Sequence, residues 1–360
     1  MTKRDDGMAQ SYRNRVISLF LVTVIMLVAV LWIAPQMLKK PEHGREDTVD
    51  HREVTTQLAY YDRGWNEETR GLPSLKTHYG SIHLLSPNWY GVDAGGNIVL
   101  SRGEIEGEIS NIATREGIKI LPLVTNYRGN HQVLMNQAVL QKAAGAIAGM
   151  VIKNNYDGVN IDFEMIPPWY AEQLAELVRL VAQELRPYNK IVAVSVFPKI
   201  DFPERLHGVH DYEKLVTYTD YVCLMAYDRH SPRTGPGPVA PLTWVEDNIR
   251  HALTTVPPEK LILGVAAYGY DWSEDGTGAE PLGLNQALQR SQQYEVEHLW
   301  DQTSQSSYYL YRKNEIRHEV WFESEYSVGR KTNLVEKYNL AGLAFWRLGY
   351  ETKAYMKALE

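Results

Sequence analysis

The sequence predicts an α/β fold, a (β/α)8 barrel with a small α+β insertion between its seventh and eighth strands, preceded by one transmembrane helix. Three observations predict it. Eight short runs rich in Val, Ile, Leu and Tyr recur after residue 54. The stretches between them carry apolar residues at helical spacing. The runs themselves are almost wholly apolar, as strands are when they lie in a parallel sheet covered by helices. An open doubly wound sheet is the rival arrangement. Neither GxGxxG nor GxxxxGK[ST] occurs, so no glycine-rich phosphate turn follows a strand and the rival loses its usual signature.

In chain order, residues 1–15 read as a cytoplasmic tail and residues 16–34 as a membrane span. The span holds no charge and only Ser18 and Thr23 as hydroxyl residues. At about 1.5 Å per residue it reaches roughly 28 Å, the depth of a bilayer core. Lys3, Arg4, Arg13 and Arg15 precede it, which directs the N-terminus to the cytoplasm. An uncleaved anchor and a cleaved signal peptide both fit this run. Its length and the lack of a small-x-small site after it favour the anchor. Residues 35–53, polar and carrying Pro35 and Pro41, read as a linker. Residues 54–360 form the barrel, on the outside of the cytoplasmic membrane.

The eight strands are expected at QLAYY near 57, SIHLLS near 81, IKILPLVTN near 118, GVNIDFE near 158, IVAVSVFP near 191, YVCLMAYD near 221, LILGVAAYGY near 261 and GLAFWRLG near 342. Between them, Leu174, Leu177, Val178, Val181 and Leu185 fall on one face of a helix over 169–185, and the Ala-rich stretch 136–153 has similar spacing. The last interval is too long for one helical crossover. Within it YYLYRK and HEVWFES read as an antiparallel pair and Asp275 to Gly283 as a loop, so an insertion is expected over about 273–325.

Composition narrows the partners. There are 37 basic and 44 acidic residues, a net charge of -7, which provides no field for phosphates and argues against a nucleic-acid partner. The single cysteine, Cys223, lies in an apolar strand and supports neither a disulfide framework nor a zinc cluster. The 11 histidines are scattered, and His207 and His210 read as solvated loop residues, so no metal and no cofactor is expected. No GxSxG elbow occurs, which argues against acyl transfer. Tyr (23) and Trp (9) far outnumber Phe (6), so most rings carry a polar edge suited either to core rims or to a wet, sugar-like surface.

Position decides between those uses, and the densest chemical signal is DGVNIDFE over 157–164. With a side-chain period of two, Asn160, Asp162 and Glu164 point to one face of the fourth strand while Val159, Ile161 and Phe163 point to the other. The apolar set meets the helices; the polar set faces the barrel interior and climbs to the C-terminal rim, where such barrels keep their active sites. Asp162 and Glu164, about 7 Å apart along the strand, repel each other, so one tends to hold a proton. Glu164, nearest the rim, is the candidate general acid.

The motif resembles the DGxDxDxE signature of glycoside hydrolase family 18, the chitinase-like enzymes. The resemblance implies that Glu164 is the acid/base and that Asp162 orients the 2-acetamido group of the substrate, whose own oxygen acts as nucleophile. Asp157 and Asn160 match the earlier motif positions, with Asn160 standing where the commonest version has Asp. MAYD over 225–228 resembles the family's MxYD: Tyr227 would then hydrogen-bond the acetamido carbonyl, while Met225 and Asp228 belong to the same pocket. Trp346 matches the tryptophan that floors the sugar subsite. Tyr60, Trp89, Asn126, Tyr268 and Tyr270, at or just beyond strand ends, are expected to line the groove with Tyr61, Tyr90 and Trp272. TN after strand three, YGYDW, VWFES and GLAFWRLG look like the bacterial N-acetylglucosaminidases that cut spore-cortex peptidoglycan, a branch that usually carries LysM repeats, absent from this sequence. The expected function is retaining hydrolysis of a β-linked N-acetylglucosamine polysaccharide, whether peptidoglycan, chitin-like or exopolysaccharide. The alternative is a lectin-like barrel that keeps the groove without turnover.

Overall fold

The computed structural model describes residues 56–64, 69–101, 107–276 and 278–360. The predicted span, tail and linker lie outside these residues. Among the described residues, no helix is long and apolar enough to cross a membrane.

Eight parallel strands carry the fold: Gln57–Tyr61, Leu84–Pro87 continued by Tyr90–Val92, Lys119–Ile120 continued by Leu123–Asn126, Gly158–Asp162, Ile191–Val196, Tyr221–Met225, Leu261–Ala266 and Gly342–Trp346. Each pairs in parallel with the next, and the eighth pairs with the first, Gln57 opposite Leu343. All eight lie where an apolar run was expected. The third is interrupted at Pro122, which has no N–H to give to the ladder.

Helices cover the outside of this sheet. Leu174, Leu177, Val178, Val181 and Leu185 are the buried face of the helix Ala171–Leu185. The helix Gln137–Lys153 starts where the Asn136 side chain accepts from the N–H groups of Ala138 and Val139. Val159, Ile161 and Phe163 pack into the layer between sheet and helices. A second cluster, with Leu58, Tyr60, Leu84, Leu123, Ala193, Cys223, Ile262 and Ala344, fills the inside. The period-two alternation of the strands therefore sorts side chains between two cores. Gly158 opens the fourth strand because its backbone runs so close to the fifth that a Cβ would stand 2.1 Å from the Ile191 carbonyl oxygen.

Between the seventh and eighth strands the insertion is larger and more regular than the sequence suggested. It holds a five-stranded antiparallel sheet, ordered 279–283, 268–273, 316–322, 306–313, 299–301, and the helix Leu284–Gln293. The stretch 275–283, expected as a loop, is half strand: Ala279–Gly283 pairs with Tyr268–Trp272. The seventh barrel strand ends at Ala266, and Tyr268, Tyr270 and Trp272 belong to the insertion sheet rather than to that strand. Ala267 marks the break, its N–H turning to the Trp346 carbonyl before the chain leaves the barrel.

Candidate active site

The fourth strand delivers the acids as its alternation requires. Asp162 is buried, Glu164 half-buried, and both open onto a cavity of about 140 Å3 at the C-terminal end of the strands. Tyr60, Met225, Tyr227, Asp228, Tyr268 and Trp346 complete its lining, so side chains from strands one, four, six and eight and from the insertion converge there. Trp346 packs on Tyr60 at 5.3 Å between ring centroids. The chain leaves strands four and six through strained turns, with φ of +56° at Met165 and +61° at Asp228.

Burial and mutual repulsion dominate the electrostatics. Burial, then the charge of Glu164, push Asp162 well above the usual carboxylate range. Glu164 is raised to about 7, first by burial and then by Asp228, with Arg233 pulling the other way. Asp228 is also raised by burial, against the opposing pull of two hydroxyls: Tyr268 and Tyr270 both donate to its Oδ1, at 2.6 and 2.8 Å. Asp162 Oδ1 is buried and has no hydrogen-bond partner among the described residues. A buried carboxylate oxygen left in that state costs stability unless a ligand or a proton completes it.

Glu164 is held by its backbone. Asn126 accepts from the Glu164 N–H at 2.9 Å and donates to the Glu164 carbonyl at 2.8 Å. Its carboxamide is thus occupied in fixing Glu164 and is not part of the cavity wall, a positioning role in place of the expected groove lining. His210 does the same one residue earlier. It accepts from the Phe197 N–H at Nδ1 (3.1 Å), which leaves the proton on Nε2 to donate to the Phe163 carbonyl at 3.1 Å. His210 was expected to be solvated; it is fully buried, and burial lowers its pKa to about 4, so it acts as a neutral brace.

Other expected residues lie elsewhere. Asn160 is fully buried one layer below Asp162, donating to Ser86 Oγ at 3.3 Å and accepting from Ser195 Oγ at 3.2 Å, while Ser195 also meets the Tyr60 hydroxyl at 3.0 Å. It adds no charge to the acid pair. Asp157, expected among the catalytic residues, precedes the strand and stands at its opposite end, where its carboxylate accepts from the Ile120 N–H at 2.8 Å. Trp89 and Tyr90 face the helix layer instead of the cavity, packed against Tyr156 at 6.0 and 6.2 Å. Tyr270 stands behind Asp228 and reaches the site through that carboxylate. Ser86, Ser195, His210 and Arg233 were missed. The two serines had a readable signal, a lone polar residue at an inward position of an apolar strand. The other two lie in connecting segments with no periodicity to interpret.

Among the described residues, no group of three or more His, Cys, Asp or Glu side chains converges as a metal site would. The arrangement offers acid/base chemistry: a carboxyl at the rim that burial raises to about 7, a second acid beneath it, phenols and an indole.

The family model for glycosyl hydrolases family 18 matches residues 87–351. The chain belongs to glycosyl hydrolase family 18. It is 25% identical over 305 residues to the uncharacterized glycosylase YvbX of Bacillus subtilis, covering 81% of this chain and 88% of that protein. The cortical fragment-lytic enzyme of the same organism is 28% identical over 255 residues, covering 67% of this chain and 59% of that protein's length. A solved chitinase from Chromobacterium violaceum superposes with a TM-score of 0.78 at 24% identity, over 84% of this chain and 97% of that one, a likeness of fold. As a family 18 member the chain is a glycosyl hydrolase, and its relatives include the spore-cortex enzymes that its motifs resemble.

Proposed function

We propose that this family 18 enzyme hydrolyses β-linked N-acetylglucosamine-containing polysaccharide with retention of configuration, the substrate's 2-acetamido oxygen serving as nucleophile. The observation that carries this reading is the partnerless Asp162 Oδ1, buried beneath a Glu164 whose pKa lies near 7. Near neutral pH Glu164 holds its proton in part of the population and gives it to the glycosidic oxygen as the bond to the anomeric carbon breaks. The acetamido oxygen then bonds to that carbon, closing an oxazoline-type ring. Asp162 Oδ1 accepts the amide N–H, which orients the group and spreads the positive charge that develops on it. The Tyr227 hydroxyl, which makes no hydrogen bond to the described residues, suits the acetamido oxygen. Water enters from the face that the leaving group vacated, loses a proton to the Glu164 carboxylate and opens the ring. Two inversions at one carbon give retention. Trp346 offers a flat apolar floor to the sugar ring. The cortical fragment-lytic relative supports peptidoglycan as the polymer.

The test is release of 4-methylumbelliferone from chitooligosaccharide glycosides. Glu164→Gln should lower kcat by about 10²- to 10⁴-fold, and a thiazoline analogue of the ring intermediate should inhibit the wild type. Full turnover in Glu164→Gln removes the acid assignment. Indifference to the thiazoline removes the acetamido nucleophile, and sugar binding with no turnover favours the lectin-like alternative.

The uncharged run over residues 16–34, with Lys3, Arg4, Arg13 and Arg15 before it, supports an anchor holding this activity outside the cytoplasmic membrane. The full chain should then stay with membranes through an alkaline carbonate wash, and its release into the wash would reject the anchor.

A further inference from the structure

The insertion sheet has two faces, and the helix Leu284–Gln293 covers one of them. Toward it point Tyr309, Val320 and Phe322, all buried, and the Tyr309 hydroxyl donates to the Ala287 carbonyl at 2.9 Å. The opposite face carries a row that crosses all five strands in direct register: Pro281, Tyr270, Trp321, Tyr308 and Leu299. At the usual strand spacing the row is about 19 Å long. Trp321 and Tyr308 are half-buried and stack on each other, 4.5 Å between centroids and 14° from parallel, and Leu299 at the sheet edge is 42% exposed.

The inner end of the row meets the catalytic cavity. Tyr270 lies 5.5 Å from Tyr268, which lines that cavity. On the same face, Trp272, Arg317 and Glu319 wall a groove of about 400 Å3, a volume within the range of small-ligand sites. Its other wall, with Pro232 and Thr234, comes from the segment after strand six, where Thr234 Oγ accepts from the Ser231 N–H at 2.9 Å and holds the turn. Trp272 is 6% exposed, and its indole N–H has no hydrogen-bond partner among the described residues. The neighbouring Trp321 N–H is satisfied by Glu319 at 2.7 Å. A buried donor left open in a groove wall gains a bond from an acceptor placed in the groove.

We propose that this face of the insertion is a second glycan-binding surface, which holds the length of β-linked N-acetylglucosamine polymer that extends past the cavity. It takes the identity of the polymer from the hydrolase reading above and adds a site outside the cavity. A pyranose presents an apolar C–H face with hydroxyls around its edge, and rings with polar edges answer both. Tyr308, Trp321 and Leu299 supply apolar contact, Trp272 a donor, and Arg317, facing Glu319 at 3.8 Å, hydroxyl partners of both signs. Affinity then grows with chain length, while a substrate confined to the cavity does not feel the surface.

The experiment measures binding of chitobiose and chitohexaose by calorimetry to the full chain carrying Glu164→Gln, so that turnover does not interfere. The hexaose should bind about tenfold or more tightly than the biose. Adding Trp321→Ala or Tyr308→Ala should remove most of that difference and leave the biose unchanged. Trp272→Phe, which keeps a ring and deletes the N–H, should cost the hexaose about three- to tenfold. In the chain with Glu164 intact, Trp321→Ala should leave release of 4-methylumbelliferone from the chitobiose glycoside unaltered. Urea midpoints check that each variant folds; if the ring variants do not, Leu299→Ser at the exposed edge carries the test, with an expected loss of about threefold for the hexaose. Equal affinity for the two sugars, or a hexaose advantage that survives these substitutions, overturns the proposal. A chain that holds the hexaose through these rings yet cleaves no glycoside of any length removes the hydrolase reading and leaves this surface standing.

Discussion

Two of the places where the molecule buries carboxylates are treated in opposite ways. At the edge of the insertion, Glu323 is 1% exposed and both its oxygens meet Lys331 Nζ, at 3.0 and 2.8 Å, with Ser327 Oγ donating a third bond at 2.7 Å. Nearby, Asp271 accepts from Arg290, Tyr311 and His318. Every oxygen there is matched. In the cavity, Asp162 keeps an oxygen with no partner among the described residues, and among those residues Arg233 is the one cation whose charge acts on Glu164 and Asp228. Glu323 and Asp271, which folding buries in the insertion, are each given a cation. Asp162, kept for chemistry, is left short of partners, and its proton affinity rises.

The strongest way to break this contrast is to exchange the consequences. Lys331→Met strands Glu323 without a cation in a dry site and should cost about 3–5 kcal/mol of unfolding free energy, read from urea midpoints. Asp162→Asn should act in reverse. The folded-state pKa of Asp162 lies above its unfolded value, so this carboxyl favours the fold at acid pH and weighs against it once the pH passes the unfolded value. At neutral pH Asp162→Asn should therefore be as stable as the wild type or more so, with the gap widening from pH 4 upward, while kcat falls on the order of 10² or more. Equal destabilisation by both substitutions would show that the cavity acid also serves the fold.

The same contrast explains what could be read from the sequence. Residues 157–164 were legible because a strand alternates every two residues: once GVNID is a strand, the inward set Asn160, Asp162 and Glu164 follows. Tyr227 and Trp346 were legible from short motifs at strand ends. Asn126 was located but its task was not, since the partner, the Glu164 backbone, lies 38 residues away and no local rule links them. His210 looked solvated because its ligands are main-chain groups of two other strand ends. The start of the insertion was hidden for another reason. LILGVAAYGYDW has no proline or polar break, so a parallel strand and an antiparallel one run together on paper, and only the partners across the ladder separate them at Ala267. Glu323 offered no local sign of its ion pair with Lys331, eight residues on.

A gentler probe adjusts the charge in the cavity without emptying it. Asp228 is the second cause, after burial, of the raised Glu164 pKa. Glu164 must carry a proton to act as acid, so kcat/KM of the wild type should fall on the alkaline side with a midpoint near 7. Asp228→Asn removes the like charge, makes Glu164 easier to ionise, and should move that limb toward acid by about one pH unit. The amide can still receive the Tyr268 and Tyr270 hydroxyls through its oxygen, so the wall keeps its shape and the shift isolates the charge. An unmoved limb would mean that burial alone sets the acidity of Glu164, and that the rim acids are independent groups sharing a cavity without forming a coupled set.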